Sequence, residues 1–485
     1  MINVKEKVVS GLFWTGSANI VEQAITWIIS ILLARLLVPS DYGLMALANM
    51  FIYFVAILNE LSIGAAIVRK KDLDETYLSS SFWFLGFLSL LIYAIMYYLV
   101  APIAGSFFNQ GKLVQMIRAL GIIFIISGAT VIPQSLIARN LEYAKRAKAL
   151  FVSRLIMGLV SLQLAYLGFG VWSLVVGALI KEFSYSVLCF YYHPWRPTWT
   201  FSFKRIHDLL SFSIPLTGSK IFGDIYKQSD NFIIGKILGD KVLGFYHMAF
   251  RLSALPVDRL AVVIDQVNFP IFSRIQDSET RSRSLFLKTS RYVSLLMFPA
   301  LVGMALTADD LVGVLLGQKW ISIVLPLRIL CAVGIFRSLN SIIYSLLVGR
   351  GRADVIFKFT LLSSVSLPLA FLIGSQIGLA GVALAWVAVF PFLFAYMLRF
   401  GLKELNLPLI DYVSNLFPII KACFFMVVAV VLFQNLGIDH RTWRFIGSIV
   451  VGFLSYTTFF TVMNKEIAVE IKAMIYILKS RRSQA

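Results

Sequence analysis

Charge is scarce in this sequence. Only 14% of its 485 residues are Asp, Glu, Lys or Arg, 59% are hydrophobic, and the mean hydropathy is +0.82. Soluble domains run nearer 25% charged and roughly 45–50% apolar. That deficit excludes a soluble globular protein and indicates an all-α polytopic membrane protein. Acids are scarcer still, since 25 Asp and Glu stand against 44 Lys and Arg, leaving a net charge of +19. In a soluble chain such an excess would suggest nucleic acid as a partner, but here the placement of the charges accounts for it. The three cysteines, Cys189, Cys331 and Cys423, lie in separate apolar segments and match no disulfide framework or metal spacing. His193, His207, His247 and His440 are scattered at helix ends, which leaves packing rather than metal or general-base work. HExxH, GxxxxGK[ST] and strand-borne GxGxxG are all missing, so neither ATP hydrolysis nor a bound cofactor is expected.

Long apolar runs are abundant. They fall at 11–37, 43–66, 78–106, 113–138, 147–168, 170–192, 209–238, 243–270, 285–306, 322–348, 356–376, 380–400, 411–435 and 442–463. Each approaches the roughly 20 helical residues needed to cross a bilayer, which predicts about fourteen transmembrane helices. Basic residues collect in alternate loops: Lys5 and Lys7, Arg69 to Lys71, Arg139 to Lys148, Arg196 to Arg205, Arg274 to Arg291, Arg350 to Lys358, Arg399 and Lys403, and the tail after Lys465. The opposite loops hold only Lys112, Lys241, Lys319, Arg441 and Arg444. Positive loops stay inside, so both termini are expected in the cytoplasm of a multi-pass protein. The start, MINVKEKVVSGLFWTGSANIVEQ, has no apolar core ending in a cleavage site and is expected to remain as the first helix. The tail EIAVEIKAMIYILKSRRSQA mixes apolar and basic residues at helical spacing, as an interfacial helix on anionic lipid does.

The halves echo one another. With Ile20 laid on Ile221, Arg35 meets Lys236, Leu37 meets Leu238, Gly43 meets Gly244 and Ala48 meets Ala249; further on, Ser135-Leu136 matches Ser345-Leu346 and Gly168 matches Gly378. Two parallel six-helix repeats are expected, forming two lobes around a central cavity, plus two C-terminal helices. The expected divisions are 1–195 for the first lobe, 196–208 for a cytoplasmic linker, 209–403 for the second lobe, 404–464 for helices 13 and 14, and 465–485 for a basic tail.

Helix 7, Leu209 to Leu238, carries Lys220, Asp224, Lys227 and Asn231 at spacings of four, three and four, hence on one face. An ionisable residue at membrane depth costs at least ~2.5 kcal/mol on insertion scales, so it normally faces a bundle interior or water. Intrahelical pairing of Lys220 with Asp224 and of Lys227 with Asp230 is the structural alternative. The matching stripe on helix 1 holds Asn19, Glu22, Gln23, Thr26 and Ser30, whose uncharged members also suit interhelical bonding. Arg251 extends the polar face into helix 8, although Arg251 and Asp258 could equally pair structurally. The candidate lumen residues are therefore Lys220, Asp224, Lys227, Asn231, Arg251, Asn19, Gln23 and Thr26, with Glu22 or Asp224 as an ion-coupling carboxylate.

GLFWTGSANIVEQ with LLARLLVPSDYGLMALA near the start, LGFGVWSLVVGALI before helix 6 and NFPIFSRIQDS after helix 8 carry a family resemblance over nearly the whole chain. The sequence resembles the polysaccharide-transporter branch, Wzx and colanic-acid-exporter-like, of the multidrug/oligosaccharidyl-lipid/polysaccharide flippase superfamily. The resemblance implies fourteen helices in two six-helix lobes plus two, a bacterial inner-membrane location, and export of undecaprenyl-pyrophosphate-linked oligosaccharide units. Their destination would be exopolysaccharide, capsule or O-antigen, delivered by alternating access. It also implies membrane lipids and the polymerase and chain-length proteins of a polysaccharide pathway as partners, with no nucleic acid. It supplies no invariant catalytic motif and does not imply an enzyme. A drug/cation antiporter fits a basic lumen less well, and a peptidoglycan-precursor flippase fits the VPSDYG and GVWSL stretches less well. A polytopic glycosyltransferase or polymerase would need an acidic pair in a sizeable outer loop. The nearest such pair, Asp309-Asp310 in TADDLVGVLLGQKW, sits in a short one and reads as a helix start or surface feature.

Overall fold

A computed structural model describes residues 25–60, 63–70, 73–207, 210, 228–276 and 278–463, and every structured element in it is helical. The helices are α1, Ile25–Leu36; α2, Pro39–Glu60; α3, Ile63–Arg69; α4, Glu75–Phe108; α5, Gly111–Arg139; α6, Tyr143–Tyr166; and α7, Trp172–Tyr192. There follow α8, Ser229–Ile237, and α9, Gly239–Arg274; α10, Glu279–Leu306; α11, Gln318–Gly349; α12, Ala353–Ser375; α13, Leu379–Glu404; α14, Leu409–Gln434; and α15, Arg441–Met463. Among the described residues, 10 helices are long and apolar enough to span a membrane: α4 to α7 and α10 to α15. The 22-residue α2 and 36-residue α9 lie on the expected second and eighth segments and also have the length to cross. The first segment is described only as α1, and most of the seventh lies outside the described residues, as do the N-terminal start and the basic tail.

The helix breaks have local causes. Pro39 opens α2, where its missing N–H costs nothing, and Asp41 in the first turn accepts from the Val38 N–H at 3.2 Å. The VPSD stretch, which falls between the expected segments 11–37 and 43–66, is therefore largely the first turn of that helix. In α4 a π-turn at Met96–Val100 precedes Pro102, which cannot donate to the carbonyl one turn back. Gly239, at φ +83°, makes the single sharp step between α8 and α9.

The chain divides into two compact units, Met1–Gly244 and Phe245–Ala485. In the first, α4 packs on α5, α5 on α7, and α6 on α7. Small residues permit this, as lipid-embedded interfaces require. A Cβ on Gly128 would fall 2.1 Å from Ser89 Oγ, and one on Gly177 would fall 2.0 Å from Ser161 Oγ. Several buried hydroxyls are satisfied by their own helices, for example Ser135 Oγ donating to the Val131 carbonyl at 2.6 Å.

The segment after α7 is strapped to the start of α4. Trp195 Nε1 donates to Glu75 at 3.0 Å, Trp83 Nε1 to the Thr198 carbonyl at 2.8 Å, and Trp83 stacks on Trp199 at 4.3 Å. Asp74 caps α4 through the Tyr77 N–H at 2.9 Å and pairs with Arg205 at 2.5 Å. Desolvation pushes the Asp74 carboxyl up, but the Tyr77 N–H and the Arg205 guanidinium outweigh it and hold it below the usual range.

The first unit also receives α8 and the first turn of α9, so the division at Gly244 falls beyond residue 195, where the sequence reading ends the first lobe. Two glycines produce this docking. A Cβ on Gly43 would lie 1.7 Å from the Asp240 carbonyl oxygen, and one on Gly244 would lie 1.8 Å from that of Pro39. Gly43 and Gly244 are repeat equivalents, and they meet reciprocally, backbone against backbone.

In the second unit, α11 and α12 pack on α13, α10 on α11 and α14, and α14 on α15. Tyr246 anchors part of that core, fully enclosed, with its hydroxyl accepting from Trp386 Nε1 at 2.8 Å.

Candidate functional site

Of the candidate lumen residues, Asn19, Glu22, Gln23, Lys220, Asp224 and Lys227 lie outside the described residues. Thr26, Asn231 and Arg251 lie within them. Thr26 is half-buried on α1, one turn before Ser30 and therefore on the same face. Nearby, Ile29 fills the space beside Gly158 of α6, where a Cβ would come within 2.1 Å of its Cδ1. That close approach seats α1 against the first unit.

Asn231 stands in the first turn of α8, half-buried. Its Nδ2 donates to Gln228 Oε1 at 2.9 Å, and its backbone N–H donates to Asp230 Oδ1 at 2.7 Å. Asp230, considered in the sequence only as a neutraliser of Lys227, is 5% exposed. A buried carboxylate at the head of this helix is the polar feature that spacing alone undervalued. The rest of α8 is fixed firmly. Phe232 stacks on Phe107 at 5.2 Å, and Lys236 Nζ donates to the Phe107 carbonyl at 2.5 Å while lying 4.4 Å from that ring. Gly235 meets Leu47, where a Cβ would come within 2.5 Å of Cδ2. Asn231 is thus presented from a turn held by contacts on several sides.

The structural alternative for Arg251, a pair with Asp258, is not formed. Asp258 Oδ1 instead accepts from Arg337 Nη2 of α11 at 3.0 Å, and the Arg337 guanidinium lies 5.0 Å from the Phe250 ring. The reason is reach, because the two residues of α9 are seven apart, nearly two turns, whereas α11 brings an arginine alongside.

Other intramembrane charges resolve into structural contacts. Arg118 Nε donates to the Tyr97 carbonyl at 3.2 Å, Lys181 pairs with Glu182 at 2.5 Å, and Lys421 sits 4.6 Å from the Phe417 ring. Asp309-Asp310 does begin a short helix, Ala308–Leu311, as expected. The surface reading fails for Asp310, whose side chain is 3% exposed and takes a fork from Arg444 at 2.9 and 2.6 Å. Asp309 pairs with Arg328 at 2.5 Å, and its carbonyl accepts from Arg441 at 2.8 Å. Nothing in the local pattern identifies Arg441 and Arg444, which lie on α15 far along the chain. Among the described residues no group of three or more His, Cys, Asp or Glu is placed to hold a metal.

A family model described as "Polysaccharide biosynthesis protein" matches residues 32–325, more than half of the chain. The lipopolysaccharide biosynthesis protein WzxC of Escherichia coli K12 is 26% identical over 402 residues, 80% of this chain and 79% of that protein. The teichuronic acid biosynthesis protein TuaB of Bacillus subtilis 168 is 26% identical over 419 residues, covering 84% and 85%. In fold, the chain is similar to a solved structure of the lipid II flippase MurJ in an inward closed conformation. The TM-score is 0.78 at 15% identity, covering 94% of this chain and 99% of that one. The ten apolar spans, the two compact units and the match across 32–325 agree, and the chain belongs to the polysaccharide biosynthesis protein family of polytopic membrane proteins.

Proposed function

We propose that this protein is a flippase that moves undecaprenyl-pyrophosphate-linked oligosaccharide units across the bacterial inner membrane by alternating access. The observation that carries the reading is the family match over 32–325, within a fold similar to that of a lipid II flippase. The units would feed exopolysaccharide, capsule or O-antigen synthesis, with the polymerase and chain-length proteins of that pathway as downstream partners. Both termini lie in the cytoplasm, on the loop-charge bias.

A pyrophosphate cannot cross hydrocarbon bare, because burying an unpaired ion costs far more than other terms in the transfer. Lys220 and Lys227 receive it in a lumen that alternating access opens to each side in turn. Asp224 neutralises the lysines when the site is empty. Lysine suits a group that must be released, being a compact charge with three donors. Asn19, Gln23, Thr26 and Asn231 hydrogen-bond sugar hydroxyls, Arg251 flanks the anion, and Glu22 or Asp224 binds a coupling ion.

Deleting the gene tests the reading in cells. The expected result is lipid-linked oligosaccharide accumulating on the cytoplasmic face and loss of the surface polymer, both restored by the intact gene. Heightened drug sensitivity with normal surface polymer would replace this reading with the antiporter.

A further inference from the structure

A groove of about 700 Å³ opens where α13 ends and α14 begins. Leu398, Leu402 and Leu409 give it apolar walls, while Arg399, Lys403 and Asn406 line its polar side. Its shape is fixed by the turn: the Leu407 N–H returns to the Leu402 carbonyl at 3.0 Å, and Asn406 takes φ 44°. Arg399 and Lys403 are four apart and so stand on one face, both exposed.

The local acids are committed elsewhere. Glu404 pairs with Arg352, and Asp411 with Arg283 at 2.7 Å. The side chains of Arg399 and Lys403 make no hydrogen bond or ion pair among the described residues, so two cations one helical turn apart border an apolar groove with no counter-ion there. The apolar path continues away from them. Phe392, 77% exposed, lies below on α13, and Val413 and Phe417 are exposed along α14. The site therefore offers charge at one end of two spans and hydrocarbon contact along them, the two halves of a phospholipid.

We propose that this groove binds one anionic phospholipid of the cytoplasmic leaflet, its phosphate held by Arg399 and Lys403 with Asn406 donating, and one acyl chain lying against Leu398, Leu402 and Leu409. It rests on the reading that the chain spans the membrane with this loop inside. The lipid would fill the joint between the second lobe and the two added helices.

The test uses purified, delipidated full chain in detergent, with native mass spectrometry reading the adducts left after titration with phosphatidylglycerol or phosphatidylcholine. Phosphatidylglycerol should be retained preferentially at one site. Arg399→Gln/Lys403→Gln should weaken that retention about 30-fold, since each basic residue near an anionic lipid contributes roughly a factor of five. Lys358→Gln, an equal loss of charge on α12, should leave it unchanged. Ala395→Trp, which obstructs the acyl path and keeps both cations, should also lower retention, with an unchanged size-exclusion profile showing an intact fold. Equal retention of the two lipids, or wild-type retention by the double glutamine variant, would overturn the proposal. So would retention of undecaprenyl phosphate in place of phosphatidylglycerol, which would make the groove a substrate site. Because binding is read without transport, failure here and failure of the flippase reading are separate results.

Discussion

Replacing Gly43 or Gly244 by alanine should be among the most damaging small changes in the protein. Each new Cβ would sit 1.7 or 1.8 Å from a backbone carbonyl oxygen across the α2–α9 crossing, against an ordinary contact of at least 3.4 Å. For Gly43 the helices must part by 3.4 − 1.7 = 1.7 Å, and the obstructing atoms are backbone, so no side-chain rotation relieves the clash. Overpacking of this kind costs about 1–3 kcal/mol. Either substitution forces the same separation, so the second adds little once the first is made, and the double variant should lose scarcely more than the worse single. Equilibrium unfolding in mixed detergent would measure the cycle. Gly86→Ala is the control: its Cβ meets nothing within 4 Å, and removing a helical glycine should be neutral or stabilising by up to ~1 kcal/mol. If Gly43→Ala and Gly244→Ala behave like Gly86→Ala, or if their losses simply sum, the reciprocal crossing is not the contact described here.

Three further outcomes can be checked. Asp310→Asn should destabilise the second unit by about 3 kcal/mol, the low end for breaking a buried pair, because Arg441 and Arg444 are 30% and 34% exposed and can reach water; an Arg444→Gln partner variant in a double-mutant cycle would isolate the coupling. The Asp74 strap should be pH-dependent: its folded pKa lies below the unfolded value, so its contribution is whole above the usual carboxylate range and fades as pH falls through the folded value. Hydrogen-exchange protection over 196–207, taken relative to the intrinsic rate at each pH, should therefore fall in acid, and Asp74→Asn should lower it in the same way at neutral pH. In intact cells, cysteines placed at Ser40 and Gln318 should react with an impermeant reagent while those at Lys70 and Arg281 stay silent, against a quiet background because all three native cysteines are buried.

The transmembrane plan was legible because hydropathy acts over whole segments. Expected 113–138, 147–168 and 411–435 became Gly111–Arg139, Tyr143–Tyr166 and Leu409–Gln434. The alignment of Gly43 with Gly244 could be read too. That they touch could not, because alignment reports equivalence and says nothing of contact. Pairings across helices were the least legible part. Asp258 goes to Arg337 and Asp310 to Arg444, partners that helical spacing cannot find and that depend on which spans become neighbours. In the candidate site, spacing relates Asn231 to Lys220, Asp224 and Lys227, which lie outside the described residues, while its bond to Gln228 follows from how α8 begins.

The most direct measurement is the flipping of lipid-linked oligosaccharide by purified protein in liposomes, read as its accessibility to a glycan-cleaving enzyme confined to one side. The account predicts that intact protein exposes the glycan placed on the far side, and that Lys220→Ala/Lys227→Ala, present at the same level, does so at a small fraction of that rate. Lys→Arg variants should keep part of it. Exposure no faster than in protein-free liposomes would contradict the transport reading, and a parental rate from the double alanine variant would make the two lysines structural counter-ions.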